Sequence, residues 1–343
     1  MEYSSSYPKS YIKSIDAIRT ISILAVVLIH TTTRILEVSG YKLNIFAWTL
    51  FFNQLARFAV PLFFLISGFV LELNYDLNSN YFAYIKKRLG KIFIPYVFWS
   101  AIYYLFVYNQ NHDNFFRVLL TGNASYQLYF IPALLIFYLI FPLLHKMYKL
   151  ISTPVALIIL GGFQLMLMYR DYFVHQFSFA DPIRISLLGY FVFIIGMVVA
   201  RNKDKILEVI SKIKFWLVLV VGYLVYYVFN EGRNLYFKTY NIEAFYSQWR
   251  ISVLVYTLCL AALLFCVFEN PSYQSKIVAK MAKLSFFVFF IHIIVLEVIW
   301  SNFGKFISNN GLFDLLFFGV VSGVSFFVAS IAHKIPNLNK LTG

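Results

Sequence analysis

A chain of 343 residues that is 61% hydrophobic and only 13% charged is not an ordinary soluble domain, because such domains sit nearer half apolar and a quarter charged. No aqueous core hides this much Phe, Tyr, Ile and Leu, so lipid must be the solvent for most of it. The formal charge of +14 lies in short basic stretches between apolar runs, as in loops facing anionic lipid, and no motif for reading nucleic acid accompanies it.

A lipid-spanning helix needs about 20 mostly apolar residues. Ten windows approach that length: 15–33, 45–71, 92–108, 128–144, 154–168, 185–200, 215–229, 251–268, 284–300 and 312–332. The expected fold is all-α: a polytopic helical membrane bundle of about ten transmembrane helices, one domain over 1–343. The second window holds Arg57 and Pro61 and is expected to bend; the fifth is the weakest. With the N-terminus inside, alternate loops carry 18 Lys and Arg inside and 9 outside. The positive-inside rule then puts both termini in the cytoplasm and the chain in the cell membrane as a multi-pass protein. The first apolar run contains an arginine and no small-x-small site follows His30, so it reads as a retained helix rather than a cleaved signal. Cys259 and Cys266, seven apart in one run, read as small buried hydrophobes, and without a Cys/His cluster no metal site is expected.

Ionisable residues within spans are costly unless paired or facing a hydrated cavity, which makes them candidates for function. In "SIDAIRTISILAVVLIH", Arg19 and His30 are eleven residues apart. That is about three turns, or about 16 Å, along one helix face. The face carries a cation near the inner end and a titratable base near the outer end, and is expected to border a wet passage. A plainer reading stays open for each: Arg19 can snorkel or pair with Asp16, and His30, beside Thr31 to Thr33, can mark a helix end. In "RFAVPLFFLISGFVLE", Arg57 precedes Pro61 by four residues, where proline frees a backbone carbonyl, while Ser67 and Gly68 offer a hydroxyl and a close-packing point. "KKRLGKIFIP" puts four positive charges, Arg88 and Lys91 among them, at the expected start of the third helix. Cations and helix N–H groups together suit phosphates there, although topology alone also accounts for the cluster. "SFFVFFIHIIVLEVIW" sets Ser285 and His292 seven apart on one face. His292 fits either a structural donor or a chemical group, and Glu297 is a partner for an intramembrane arginine such as Arg57. Tyr126 and Gln127 add polar groups at the outer surface.

These segments, in this order, resemble the acyltransferase 3 family of membrane acyltransferases. "IDAIRTISILAVVLIH" is similar to its first-helix signature and "RFAVPLFFLISGFVL" to its second. "KKRLGKIFIPYVFW" resembles its basic third-helix segment, and "SFFVFFIHIIVL" a late helix in which Ser precedes His by seven. The resemblance covers nearly the whole chain. It implies transfer of an acyl group, commonly acetyl, from cytoplasmic acyl-CoA to a hydroxyl of a cell-surface carbohydrate or lipid-linked sugar, with acyl-CoA as donor substrate and no permanently bound cofactor. It also implies functional roles at Arg19, His30, Arg57, Ser67, Arg88 and His292. One departure stands out: the family's Arg-x-x-Arg is Arg88-Leu-Gly-Lys91 here, and lysine keeps the charge but loses bidentate geometry. The expected mechanism uses Arg88, Lys91 and Ser67 at the donor, His30 as base, and Arg19 and Arg57 around the thioester. Glu297, Tyr126 and His292 serve as acceptor or structural groups. The rival expectation is an exporter or flippase of a polysaccharide or lipid-linked sugar, with the intramembrane charges as its substrate or proton-relay groups.

Overall fold

The computed structural model describes residues 13–39, 46–76, 80–108, 114–174, 181–270, 275–304, 311–336 and 338. Lys9, Lys42, Lys305 and Lys340 of the charge tally lie outside them. The elements are α1 (Lys13–Ser39), α2 (Phe46–Leu55), a 3-10 turn (Ala56–Phe58), α3 (Ala59–Asn74), α4 (Tyr81–Ile102) running into a π turn (Tyr103–Val107), α5 (Phe115–Thr121), α6 (Phe130–Lys146), α7 (Tyr148–Ile151), α8 (Pro154–Val174), α9 (Asp181–Arg201), α10 (Lys203–Lys212), α11 (Lys214–Phe237), α12 (Ile242–Tyr246), α13 (Ile251–Phe268), α14 (Lys276–Phe303) and α15 (Gly311–Ala332). Among the described residues there is no strand, and nine helices are long and apolar enough to cross a membrane. A tenth, α6, is apolar but has 17 residues, about 25 Å of rise. The protein is a polytopic helical membrane protein.

Polar ties between helix ends bear out the alternation of ten crossings. At one end Glu72, closing α3, accepts from Arg201 of α9 and lies 3.0 Å from His145 of α6. Ser14 of α1 donates to Glu269 beyond α13 at 3.0 Å, and Lys203 joins the same carboxylate. At the other end Arg34 meets Glu297 at 3.1 Å, Arg184 meets Asp171 at 2.6 Å, and Arg250 meets Glu231 at 3.0 Å. Every such tie joins ends that an up-and-down bundle brings to the same side. Glu297 therefore belongs to Arg34, not to Arg57 as the sequence suggested, because α1 and α14 finish side by side. Cys259 and Cys266 are free thiols, half-buried rather than enclosed.

Glu72 is the most enclosed of these carboxylates, its side chain 1% exposed against 31% for Arg201. Glu72→Gln removes the charge that Arg201 and His145 share. The expected loss is about 1–2 kcal/mol, below that of a fully buried pair because Arg201 can turn to water. Thermal unfolding in detergent reads it.

Three elements depart from the sequence windows in ways that matter for the site. The second window is broken by the 3-10 turn carrying Arg57, because Pro61 has no N–H to give the carbonyl of residue 57. The third helix begins at Tyr81, with Asn80 capping it by accepting from the Phe82 N–H at 3.1 Å. The cluster at 86–91 thus rides on the second and third turns rather than at the helix start. The expected pairing of these cations with free N–H groups is not formed. Finally, α14 begins at Lys276, eight residues before its window, so Lys280 and Lys283 are helix residues.

Candidate functional site

At the basic end, α1, α3, α4, α6 and α14 surround a cavity of about 330 Å³. Its polar wall is Arg19, Ser67, Arg88, Lys91, Lys283 and Ser285. Four of those the sequence had singled out for function, from three separate segments. Lys283 was counted only as a loop charge, and Tyr138, which also lines the cavity, was not singled out. A second, shallower recess of about 460 Å³ shares Arg19 and Lys283 and adds Asp16 and Lys280. The two recesses adjoin at Arg19 and Lys283 and are taken together as a basic vestibule.

The electrostatics of this vestibule differ from those of the opposite end. There Arg34, Arg184 and Arg250 each meet a carboxylate. Among the described residues, none of Arg19, Arg88, Lys91, Lys280 and Lys283 is ion-paired. Arg88 lies instead over the Tyr84 ring, 5.9 Å from its centroid. Clustered cations in a low-dielectric wall leave a positive potential that focuses anions. Ser67 is held at the rim by donating to the Phe63 carbonyl at 2.8 Å, and Ser285 likewise donates to Ala282 at 2.7 Å.

The cavity ends at an aromatic layer of Phe130 and Phe289, whose rings are 5.8 Å apart. His30 does not line it. Arg19 and His30 do share a helix face, but the face is divided: Arg19 reaches the vestibule, and His30 stands beyond the layer. There the half-buried His30 ring lies, centroid to centroid, 4.8 Å from Tyr126 and 5.2 Å from His292, while the Phe289 and His292 ring centroids are 6.4 Å apart.

Beyond His30 a buried polar network fixes the helix that carries it. Asn53 donates to the hydroxyls of Thr32 at 3.0 Å and Thr33 at 3.1 Å and to the Ile29 carbonyl at 3.3 Å. Its own carbonyl accepts from Arg57 and from Gln54. Arg57, 3% exposed, also donates to the Tyr246 carbonyl at 2.5 Å and lies over the Phe245 and Tyr246 rings. It has no carboxylate partner among the described residues. Gln54 accepts in turn from Arg250, which pairs with Glu231. The sequence found Arg57 but missed Asn53 and Gln54, although two adjacent amides in an apolar window were the signal. Thr31 to Thr33 do not end a helix: α1 continues to Ser39, and Thr31 and Thr32 donate back to carbonyls of their own helix.

Residues 12–333 match the model of the acyltransferase 3 family, described as an acyltransferase domain. The chain belongs to the acyltransferase 3 family. This acyltransferase is 24% identical, over 77% of its length and 81% of the relative's, to a protein of Acidianus two-tailed virus named as an acetyltransferase. It is 26% identical to a Bacillus subtilis protein named as a membrane-bound acyltransferase, over 82% and 80% of the two chains. It is 22% identical, over 90% of each chain, to a Staphylococcus aureus protein named as a poly-beta-1,6-N-acetyl-D-glucosamine export protein. Comparison with solved structures finds no match.

Proposed function

We propose that this acyltransferase takes an acyl group, acetyl foremost, from acyl-CoA in the cytoplasm and delivers it to a hydroxyl of a cell-surface carbohydrate across the cell membrane. The observation that carries this reading is the unpaired basic vestibule ending one aromatic layer short of His30. Arg19, Arg88, Lys91, Lys280 and Lys283 suit the phosphates of the donor, and the two-to-one excess of Lys and Arg on their side supports reading it as the cytoplasmic face. The carbohydrate acceptor is supported by the staphylococcal relative, whose name concerns a polysaccharide.

The chemistry balances with groups present in the chain. The acceptor hydroxyl oxygen attacks the thioester carbonyl while His30 takes its proton. The negative charge developing on the carbonyl oxygen is offset by Arg57, a fixed cation already desolvated and so not reorganised during the step. The C–S bond breaks, and the departing thiolate recovers a proton, returning His30 to its neutral form. The donor arm must pass Phe130 and Phe289 to reach His30, so the aromatic layer works as the barrier that keeps thioester and water apart.

A second reading, export of a glycan, draws on the same relative's name and its coverage of both chains. One experiment separates the two: surface glycans from cells with and without the gene, analysed by mass spectrometry. Loss of acyl groups from normally exported polymer is expected; unmodified polymer retained inside cells would overturn the transferase reading. In membranes supplied with radiolabelled acetyl-CoA, Lys283→Ala is expected to raise the donor KM about tenfold, the scale of one charge-assisted contact.

A further inference from the structure

Resting on the reading of His30 as the base, we propose that His292 is the positioning residue that sets the His30 tautomer, its Nε2 accepting a hydrogen bond from the His30 ring. His292 is fully buried on α14, and its Nδ1 lies 3.0 Å from the Val288 carbonyl one turn earlier. A carbonyl only accepts, so Nδ1 carries the hydrogen, and in the neutral ring Nε2 is left as a lone pair. That nitrogen is buried with no partner among the described residues. An orphaned buried acceptor is unfavourable by about 1–3 kcal/mol, which a histidine serving only to fill space has no reason to bear.

The ring that faces it is His30, 5.2 Å away centroid to centroid and tilted by 37°. Ring nitrogens lie about 1.2 Å from a centroid, so turning them toward each other closes the gap to hydrogen-bond length, about 3 Å. The freedom to turn belongs to His30. It is only half-buried, while its backbone is held by the Asn53 bonds to Thr32 and Thr33. The level of α14 is fixed as well, since the Tyr103 hydroxyl donates to the Phe290 carbonyl at 2.6 Å. The hydroxyls of Thr31 and Thr32 are committed to their own helix, and the Tyr126 ring, 4.8 Å from His30, packs against the imidazole as well. With one His30 nitrogen donating to His292, the other must hold the lone pair that a general base needs. This is the orienting role a carboxylate plays beside the histidine of a hydrolase triad, filled here by a neutral acceptor that adds no charge to the membrane interior.

The test uses the full chain, with its six histidines ¹⁵N-labelled in the ring, in lipid nanodiscs. His30→Ala assigns the His30 signals by their loss. In the wild type His30 is expected as a single tautomer, one nitrogen protonated and one bare. His292→Phe keeps the shape but removes the acceptor, so the two His30 nitrogens should average between tautomers. His292→Gln supplies a carbonyl oxygen at the reach of Nε2 and should restore the single form. Unchanged His30 shifts in His292→Phe would overturn the proposal, as would failure of His292→Gln, folded by thermal unfolding, to restore them. In parallel, acetyl transfer should fall about 100-fold in kcat for His292→Phe, with the acetyl-CoA KM within about twofold, and recover to within about tenfold for His292→Gln. Activity surviving in His30→Ala would instead sink the reading of His30 as base, and the ¹⁵N result would stand apart from it.

Discussion

Gly68→Ala and Gly196→Ala are each expected to leave little folded protein. Helices α3 and α9 pack backbone against backbone. A Cβ built on Gly68 falls 2.0 Å from the Phe193 carbonyl oxygen, and one on Gly196 falls 2.0 Å from the Leu65 oxygen. That is more than about 1 Å short of van der Waals contact, and the neighbours are helix backbone, which cannot rotate aside. In lipid, where apolar burial does little to hold helices together, such close contacts through small residues are what association rests on. The expected destabilisation is about 3 kcal/mol or more, the upper range of overpacking. It reads out as loss of the monodisperse peak in detergent or a collapse of the melting temperature. Gly222→Ala and Gly319→Ala are the controls. Nothing lies within 4 Å of either added Cβ, so both should fold normally, slightly favoured by about 0.5–1 kcal/mol of helix propensity. Wild-type melting of Gly68→Ala would contradict the α3–α9 packing. The position also matters for the site, since Ser67 beside Gly68 lines the basic cavity and any parting of the two helices moves it.

The second large effect is chemical. His30→Ala is expected to lower acyl transfer by at least about 100-fold, the contribution of a positioned base, with protein yield and melting close to wild type. The structural reason for expecting a clean result is that His30 is half-buried and the helix around it is held by Asn53 through Thr32, Thr33 and the Ile29 carbonyl. None of those bonds uses the imidazole. Arg57 is a poorer choice for separating chemistry from folding. Its removal strips the Tyr246 carbonyl of this donor and Asn53 of one of its two, and lost activity would then report on both. Transfer measured as surface acyl groups by mass spectrometry decides it: full acylation with His30→Ala would remove His30 from the chemistry.

The segments that form the bundle, the end that gathers positive charge, and the residues that lipid would expel were all legible along the chain. Each depends only on local composition and on the cost of placing a charge in hydrocarbon. The bend at Arg57 followed from Pro61 by the same local logic. Helix starts were less legible, because a polar turn that caps or extends a helix at the membrane surface looks like loop; hence α4 and α14 begin earlier than their windows, and Lys280 and Lys283 passed as topology signals. What the tertiary structure alone decided was partnership. It gave Glu297 to Arg34, set Arg57 against the Tyr246 carbonyl and one amide instead of a carboxylate, and divided the Arg19–His30 face with an aromatic layer. It also set His292 against His30. The Arg57–Tyr246 and Arg34–Glu297 contacts link residues 189 and 263 positions apart. They are set by which helix ends meet and how closely glycines let the backbones approach, and neither is written in the pattern of any single segment.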